Sequence, residues 1–211
     1  RLEILGNLMF EKLHYELGFP YRRCGIIVAA FSEEEVAEVR RLYRQGVENR
    51  VPRIELCSAE RMLELEPKLA PDVAGGLYAP GGGVVEPYRY VFSLLELAKR
   101  NGVEFLPNCK LENASFANGA WTLQAHDGRR IRAKYAVNAA RKGEEYLLDR
   151  TSAAYPSKVV FPVPVKHSKG VLVIPTVDGT TMVGPTAEIV GDKEDHSTTA
   201  ENRSAVFRQA R

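Results

Sequence analysis

The residue types able to do chemistry are spread thinly along this 211-residue chain. Four histidines, His14, His126, His167 and His196, fall in a helix, a hairpin approach, a loop and a polar tail. No two of them stand at the spacing that lets imidazoles share a metal ion. Three cysteines, Cys24, Cys57 and Cys109, form no CxxC pair, and an odd number leaves at least one thiol unpaired, as expected of a reduced cytosolic protein. Nucleophilic catalysis would need an elbow such as GxSxG or a cysteine beside a base, and neither is present.

Two stretches could hold an anion. Gly81-Gly82-Gly83 lies between an expected strand and a helix starting near Pro87, where backbone N–H groups can cradle a phosphate. It lacks both the GxGxxG spacing and the lysine-serine pair of a nucleotide loop, so it is read as a turn. Lys166-His167-Ser168-Lys169 is a basic loop able to grip an anionic substrate through charge-assisted hydrogen bonds, and reads more readily as a solvated turn between strands.

The elements that must carry these residues follow from hydrophobic spacing. Leu2, Leu5, Met9, Leu13 and Leu17 recur every three or four residues and predict an amphipathic helix closed by Gly18. Cys24–Ala30 is apolar on both faces and suits a buried strand. Ser32 with Glu35 has capping-box spacing and predicts a helix from Glu33 to about Gln45. A shorter helix begins after Ser58 and must stop before Pro67. Gly75–Val85 reads as a short strand and tight loop, Pro87 opens a helix that ends near Asn101-Gly102, and Val103–Leu106 is expected to be a strand. Beyond Pro107 the alternation becomes strand-like. A meander is expected through 110–116, 120–125, 130–131 and 135–138, with turns at Asn118-Gly119 and Asp127-Gly128. A second strand-rich stretch covers 145–149, 159–163, 170–174 and 181–183, with Asp178-Gly179 as another turn. The charged tail from Asp192 frays or begins a helix at Thr199.

Composition narrows the class. With 45% hydrophobic and 27% charged residues the chain can bury a substantial core, which excludes wholesale disorder. Twenty-nine basic against 27 acidic residues leave a net charge of +2, giving no footprint for a nucleic acid. The longest apolar run, Cys24 to Phe31, falls far short of the roughly 20 residues that span a bilayer, and the first residues do not read as a secretory signal. These observations point to a soluble α+β domain: a mixed, mainly antiparallel sheet with helices on one face.

Seven segments carry a more specific likeness: GNLMF at 6–10, RCG at 23–25, ELEP at 64–67, GGVVEP at 82–87, VNAA at 137–140, KGEEYLL at 142–148 and IPTVDGTTMVGPTAE at 174–188. In this order they make the chain resemble the FAD-dependent glycerol-3-phosphate dehydrogenases and the L-2-hydroxyglutarate oxidases of the D-amino-acid-oxidase-like flavoproteins. The family pattern opens with a strand, GxGxxG and a helix around the FAD pyrophosphate, and this sequence starts after them. The pattern also continues past Asn-Ala-Ala into a glycine and a helix, whereas here Ala140 abuts Arg141. The resemblance therefore implies that residues 1–211 are a substrate-binding domain from which nucleotide-binding parts are missing, with a splice or gap at 140–141, and that this portion alone is colourless and inactive.

The same resemblance implies residue roles. Leu111 and Asn138-Ala139-Ala140 would lie against the adenosine side of FAD, while Lys142, Tyr146, Thr176, Thr186 and Lys166 would bind a small anionic substrate. No catalytic residue and no metal ligand is implied within this stretch. The intact enzyme would oxidise sn-glycerol 3-phosphate to dihydroxyacetone phosphate by hydride transfer to flavin, then pass electrons to a quinone or a partner subunit. It would work in the cytoplasm or against the inner membrane. L-2-Hydroxyglutarate oxidation, or a flavin-free binding module, are the alternatives.

Overall fold

A computed structural model describes residues 2–139, 146–148, 155–164, 170–185 and 199–209. By their contacts they form two units, Arg1–Ser93 with Gly143–Arg211, and Leu94–Lys142.

In the first unit, helix α1 (Leu2–Leu17) stops where expected, because Gly18 adopts φ +71 and its N–H bonds back to His14. Strand β1 (Tyr21–Arg23) precedes β2 (Ile26–Ala30), so the apolar stretch after Cys24 is one buried strand with a separate ribbon before it. Helix α2 (Glu33–Glu48) runs one turn further than expected, and Ser32 accepts from the Glu35 N–H at 3.2 Å. Glu35 reaches back to the Phe31 N–H at 2.7 Å rather than to Ser32. Strand β3 (Glu55–Ser58) leads into α3 (Ala59–Leu65), capped by Ser58 and ended by the extended backbone that Pro67 imposes on Glu66. Strands β4 (Gly75–Ala79) and β5 (Gly83–Val85) bracket the glycine triplet, and α4 (Pro87–Arg100) follows.

The main sheet has the order β3-β4-β2-β10-β11-β12-β9, where β9 is Tyr146–Leu148, β10 Val159–Pro162, β11 Leu172–Pro175 and β12 Thr181–Gly184. Only the β10–β2 pair is parallel; the other pairs are antiparallel. Strand β1 pairs with β5 in a separate two-stranded ribbon. Helix α5 (Ala200–Gln209) begins after Thr199 and packs Val206 on Val171 and Val183.

Strand β2 shows why both of its faces are apolar. Ile27 and Ala29 point to a cluster with Met62 of α3, Cys57 and Val73, whereas Ala30 and Val28 point to Val36 and Val39 of α2. Helices thus cover β2 on both sides, a wider cover than the single face expected from the sequence, since a central strand buried on both faces needs a layer on each. Each fully buried side chain of this size contributes about 1.5–3 kcal/mol.

The second unit holds the meander β6 (Leu111–Ala117), β7 (Ala120–Ala125) and β8 (Arg130–Ala133). Two expected strands do not form. Val103–Leu106 and Tyr135–Asn138 are irregular, with Val103 and Phe105 more than half exposed and Tyr135 and Val137 almost fully so. Both segments are rich in strand-forming residues, but neither joins a ladder with a described strand, and a strand exists only by its ladder.

Candidate functional site

A cavity of about 670 Å³ opens in the first unit between two walls. One is Val84–Tyr88, the end of β5 and the start of α4; the other is the β11–β12 hairpin, from Ile174 through Thr176, Asp178 and Thr180 to Met182. Its size is that of a small-molecule site, and its lining of apolar side chains with a few polar groups fits the same description.

The hairpin loop is longer than the two-residue turn expected at Asp178-Gly179. Pro175 pairs with Thr181 and the Thr176 N–H donates to the Thr180 carbonyl at 2.9 Å, so the loop 176–180 is closed by its backbone and held further by its own side chains. The Thr176 hydroxyl donates to the Asp178 carboxylate, accepts from the Thr180 N–H at 3.0 Å and stands 2.7 Å from the Thr180 hydroxyl. Thr180 donates to the same carboxylate at 3.0 Å. On the opposite wall Glu86 caps α4, accepting from the N–H groups of Tyr88 at 3.2 Å and Arg89 at 2.6 Å. Both carboxylates are thus held by donors of this chain; of the loop's polar side chains Asp178 is exposed, Thr176 half-buried and Thr180 buried. Among the described residues no lysine or arginine lines the cavity.

A cation stands just behind it. Arg22 of β1 is opposite Val84 in the ribbon and sends one guanidinium nitrogen to the Tyr155 hydroxyl at 2.8 Å and to the Thr176 carbonyl at 3.3 Å. Tyr155 donates its own hydroxyl to that carbonyl at 3.1 Å, and the guanidinium carbon lies 5.7 Å from the Tyr155 ring centre. The segment after Tyr155 is anchored by Glu66, whose carboxylate is 2% exposed and accepts from the N–H and hydroxyl of Ser157 and from the N–H of Lys158.

Of the residues expected to bind substrate, Thr176 lies in the cavity wall. Tyr146 is in β9, paired with Val183 of β12, so it shares the sheet that ends in the hairpin. Lys142, Lys166 and Thr186 lie outside the described residues, as do Ala140 and Arg141 of the junction and the basic loop 166–169. Leu111, Asn138 and Ala139, expected beside adenosine, are exposed residues of the second unit.

Sequence reasoning missed Arg22, Tyr155, Thr180 and Asp178 as site residues. Asp178 carries only a turn signal in the sequence, and Arg22 is hidden in a basic pair whose neighbour Arg23 is an ordinary partner of Glu11 at 3.3 Å. The glycine triplet has a packing role instead: a side chain at Gly82 would place its Cβ 2.3 Å from Ile26 Cγ1. The described residues contain no group of histidine, cysteine and acidic side chains able to hold a metal ion. Burial raises the thiols of Cys24 and Cys57 above their ordinary value, Cys57 to about 11 with help from the Glu55 carboxylate, so neither is poised as a nucleophile.

Comparison with known proteins gives this geometry its context. The family description "DAO: FAD dependent oxidoreductase" matches residues 1–211. A glycerol 3-phosphate dehydrogenase of Caloramator mitchellensis is 36% identical over 235 residues, covering 100% of this chain and 48% of that protein. Human mitochondrial L-2-hydroxyglutarate dehydrogenase is 24% identical, over 93% of this chain and 49% of its own length. The dithionite-reduced L-alpha-glycerophosphate oxidase of Mycoplasma pneumoniae with FAD bound superposes with a TM-score of 0.82 at 25% identity, over 97% of this chain and 60% of that one. The chain thus spans about half the length of the curated relatives it matches.

Proposed function

The chain belongs to the DAO family of FAD dependent oxidoreductases, and from that premise we propose that it is the substrate-binding part of an enzyme oxidising sn-glycerol 3-phosphate to dihydroxyacetone phosphate. The observation that carries the choice of substrate is the 36% identity, along the whole chain, to a glycerol 3-phosphate dehydrogenase, against 24% to an L-2-hydroxyglutarate dehydrogenase. The cavity chemistry agrees. The hydroxyls of Thr176 and Thr180 and the carboxylates of Glu86 and Asp178 are hydrogen-bonding partners for the two hydroxyl groups of a glycerol moiety, while the cations for its phosphate must come from outside this lining.

FAD supplies the hydride acceptor when bound. The residues of the cavity fit its ring side, with Val84, Val85, Ile174 and Met182 as apolar cover and the threonine hydroxyls as donors. They do not fit its diphosphate, because the 211 residues contain no GxGxxG loop. Leu111, Asn138, Ala139 and Ala140 remain our assignment for the adenosine side: Leu111 is half-exposed, and small side chains at 138–140 let backbone approach a ring. For the substrate anion we assign Lys142 and Lys166, with Tyr146, Thr176 and Thr186 as hydrogen-bond donors, since a phosphate needs cations that the described wall of the cavity lacks. Electrons would leave to a quinone or a partner subunit. We place the enzyme in the cytoplasm or against the inner membrane, in keeping with free cysteines and with described helices none of which is long and apolar enough to cross a membrane.

We also assign a missing internal segment to the Ala140–Arg141 junction. The match to the Caloramator mitchellensis relative spans 235 residues, 24 more than this chain has, and the boundary between the two units, Lys142 to Gly143, falls beside the same point. An intact mass well above 23.5 kDa for the natural protein, with the extra residues mapping to 140–141, is the expected result.

The test of function is Lys142→Ala in the flavin-loaded holoenzyme. Loss of a charged hydrogen-bond partner costs about 1.5–3 kcal/mol, so KM for glycerol 3-phosphate should rise roughly ten- to a hundredfold with flavin content unchanged. Release of flavin with an unchanged KM would move Lys142 to the cofactor side. Turnover of L-2-hydroxyglutarate in preference to glycerol 3-phosphate would overturn the substrate.

A further inference from the structure

Arg22 is an expensive way to fill its place. It is half-buried, its Nε has no acceptor among the described residues, and no carboxylate among them lies within ion-pair distance. Its partners are two neutral oxygens, the Tyr155 hydroxyl and the Thr176 carbonyl, separated from it by 133 and 154 residues of chain. A guanidinium withdrawn from water with no counter-ion among the described residues is a poor source of stability, and an apolar side chain would fill the space at lower cost.

What the side chain does achieve is a span between the two cavity walls. Its backbone belongs to β1, in register with β5, whose Val84 and Val85 form one wall. Its guanidinium ends on Thr176, which forms the other. The loop 176–180 is internally rigid through Thr176, Asp178 and Thr180, but those bonds say nothing about how far it stands from the ribbon. Two bonds reach the loop from outside at the Thr176 carbonyl, one from Arg22 and one from Tyr155, and Tyr155 itself is linked to Arg22.

We propose that Arg22 and Tyr155 are positioning residues for the substrate pocket: together they fix the Thr176 carbonyl, set the separation of the two walls, and so hold the Thr176 and Thr180 hydroxyls at the distance that substrate requires. The proposal rests on the reading of this cavity as the substrate site. Neither residue touches substrate. A donor misplaced by about 1 Å weakens binding and orientation without removing any group that contacts the substrate.

The test uses the flavin-loaded holoenzyme and whichever of glycerol 3-phosphate and L-2-hydroxyglutarate it oxidises better. Arg22→Gln and Tyr155→Phe should each raise KM about tenfold while kcat and flavin content stay within about twofold, and Arg22→Lys, which keeps reach and a donor, should recover most of the loss. Because the two side chains act through one carbonyl, the double variant should be little worse than the more damaging single one. Thr176→Val is the control. If it raises KM while Arg22→Gln and Tyr155→Phe change only thermal stability, the positioning role is refuted and the site reading stands. If Thr176→Val also leaves KM unchanged, the cavity is not the substrate site and both fall. Should Arg22→Gln not fold, Arg22→Lys with Tyr155→Phe decides the matter, since each keeps most of the native packing.

Discussion

Replacing Glu66 by alanine should be among the most damaging single changes in the first unit. Its Oε2 accepts from the Ser157 N–H at 2.6 Å, the Ser157 hydroxyl at 2.7 Å and the Lys158 N–H at 3.2 Å, while Oε1 accepts from the Lys68 N–H at 3.4 Å. Glu66 is 2% exposed, so truncation opens a buried gap beside these donors, although Ser157 and Lys68 are themselves exposed residues. Hydrogen bonds to a charged group are worth about 1.5–3 kcal/mol each, but three that share one oxygen do not add, and removing one side of a buried charged network costs about 3–5 kcal/mol. Glu66→Ala should therefore lose about 3–5 kcal/mol, or roughly 6–20 °C in Tm for a protein of this size. Glu66→Gln can keep one acceptor toward Ser157 and turns an amide donor toward the Lys68 N–H, so its loss should be about 1–2 kcal/mol. Urea unfolding followed by circular dichroism on both variants measures these numbers. A Glu66→Ala protein within about 1 kcal/mol of the parent would show that the carboxylate does not anchor the 155–158 segment.

The fold was legible wherever local chemistry and tertiary packing agree. Ser32 with Glu35, Ser58 before a helix, Gly18 after one, and Pro87 in a first turn each satisfy backbone groups that any helix end exposes, so they mark the same boundaries in isolation and in the folded chain. Val103–Leu106 and Tyr135–Asn138 misled because a short apolar, strand-favouring run records only a local preference, whereas a ladder needs a neighbour that the run does not name. The site was legible at Thr176, through the resemblance of its segment, and illegible at Arg22 and Tyr155. Those two act at sequence separations of 154 and 21 from the carbonyl they hold, and no local pattern encodes such a partnership. Glu66 is an intermediate case: it stood in a recognisable Glu-Pro motif, yet its role depends on Ser157 and Lys158, 91 and 92 residues away.

Three further outcomes follow from the same structure. Ser32→Ala removes the acceptor for the Glu35 N–H and should cost about 1 kcal/mol by urea unfolding, with the helical circular-dichroism signal of the native state unchanged. Gly82→Ala drives its Cβ to 2.3 Å from Ile26 Cγ1 and 2.6 Å from Cδ1, so about 1–3 kcal/mol of stability should be lost, and Ile26→Ala, which removes both atoms, should make the double variant less destabilised than the sum of the two single changes. The last concerns Cys57, whose thiol is 6% exposed and pushed up to about 11, first by burial and then by the Glu55 carboxylate. In the unfolded chain the thiol ionises near its ordinary value of about 8.5. The folded state therefore disfavours the thiolate: the stabilisation is fully present below about pH 8.5 and is lost as pH rises toward 11, because the unfolded chain gains by ionising first. Tyrosines and lysines titrate in the same range, and they cancel when Cys57→Ala is compared with the parent at each pH. The urea midpoint of the parent should thus fall more steeply between about pH 8 and about pH 10.5 than that of Cys57→Ala, whose constant offset from the lost side chain does not affect the slope. Parallel slopes would show that the thiolate is as well accommodated in the fold as in water, and would refute the burial argument for this residue.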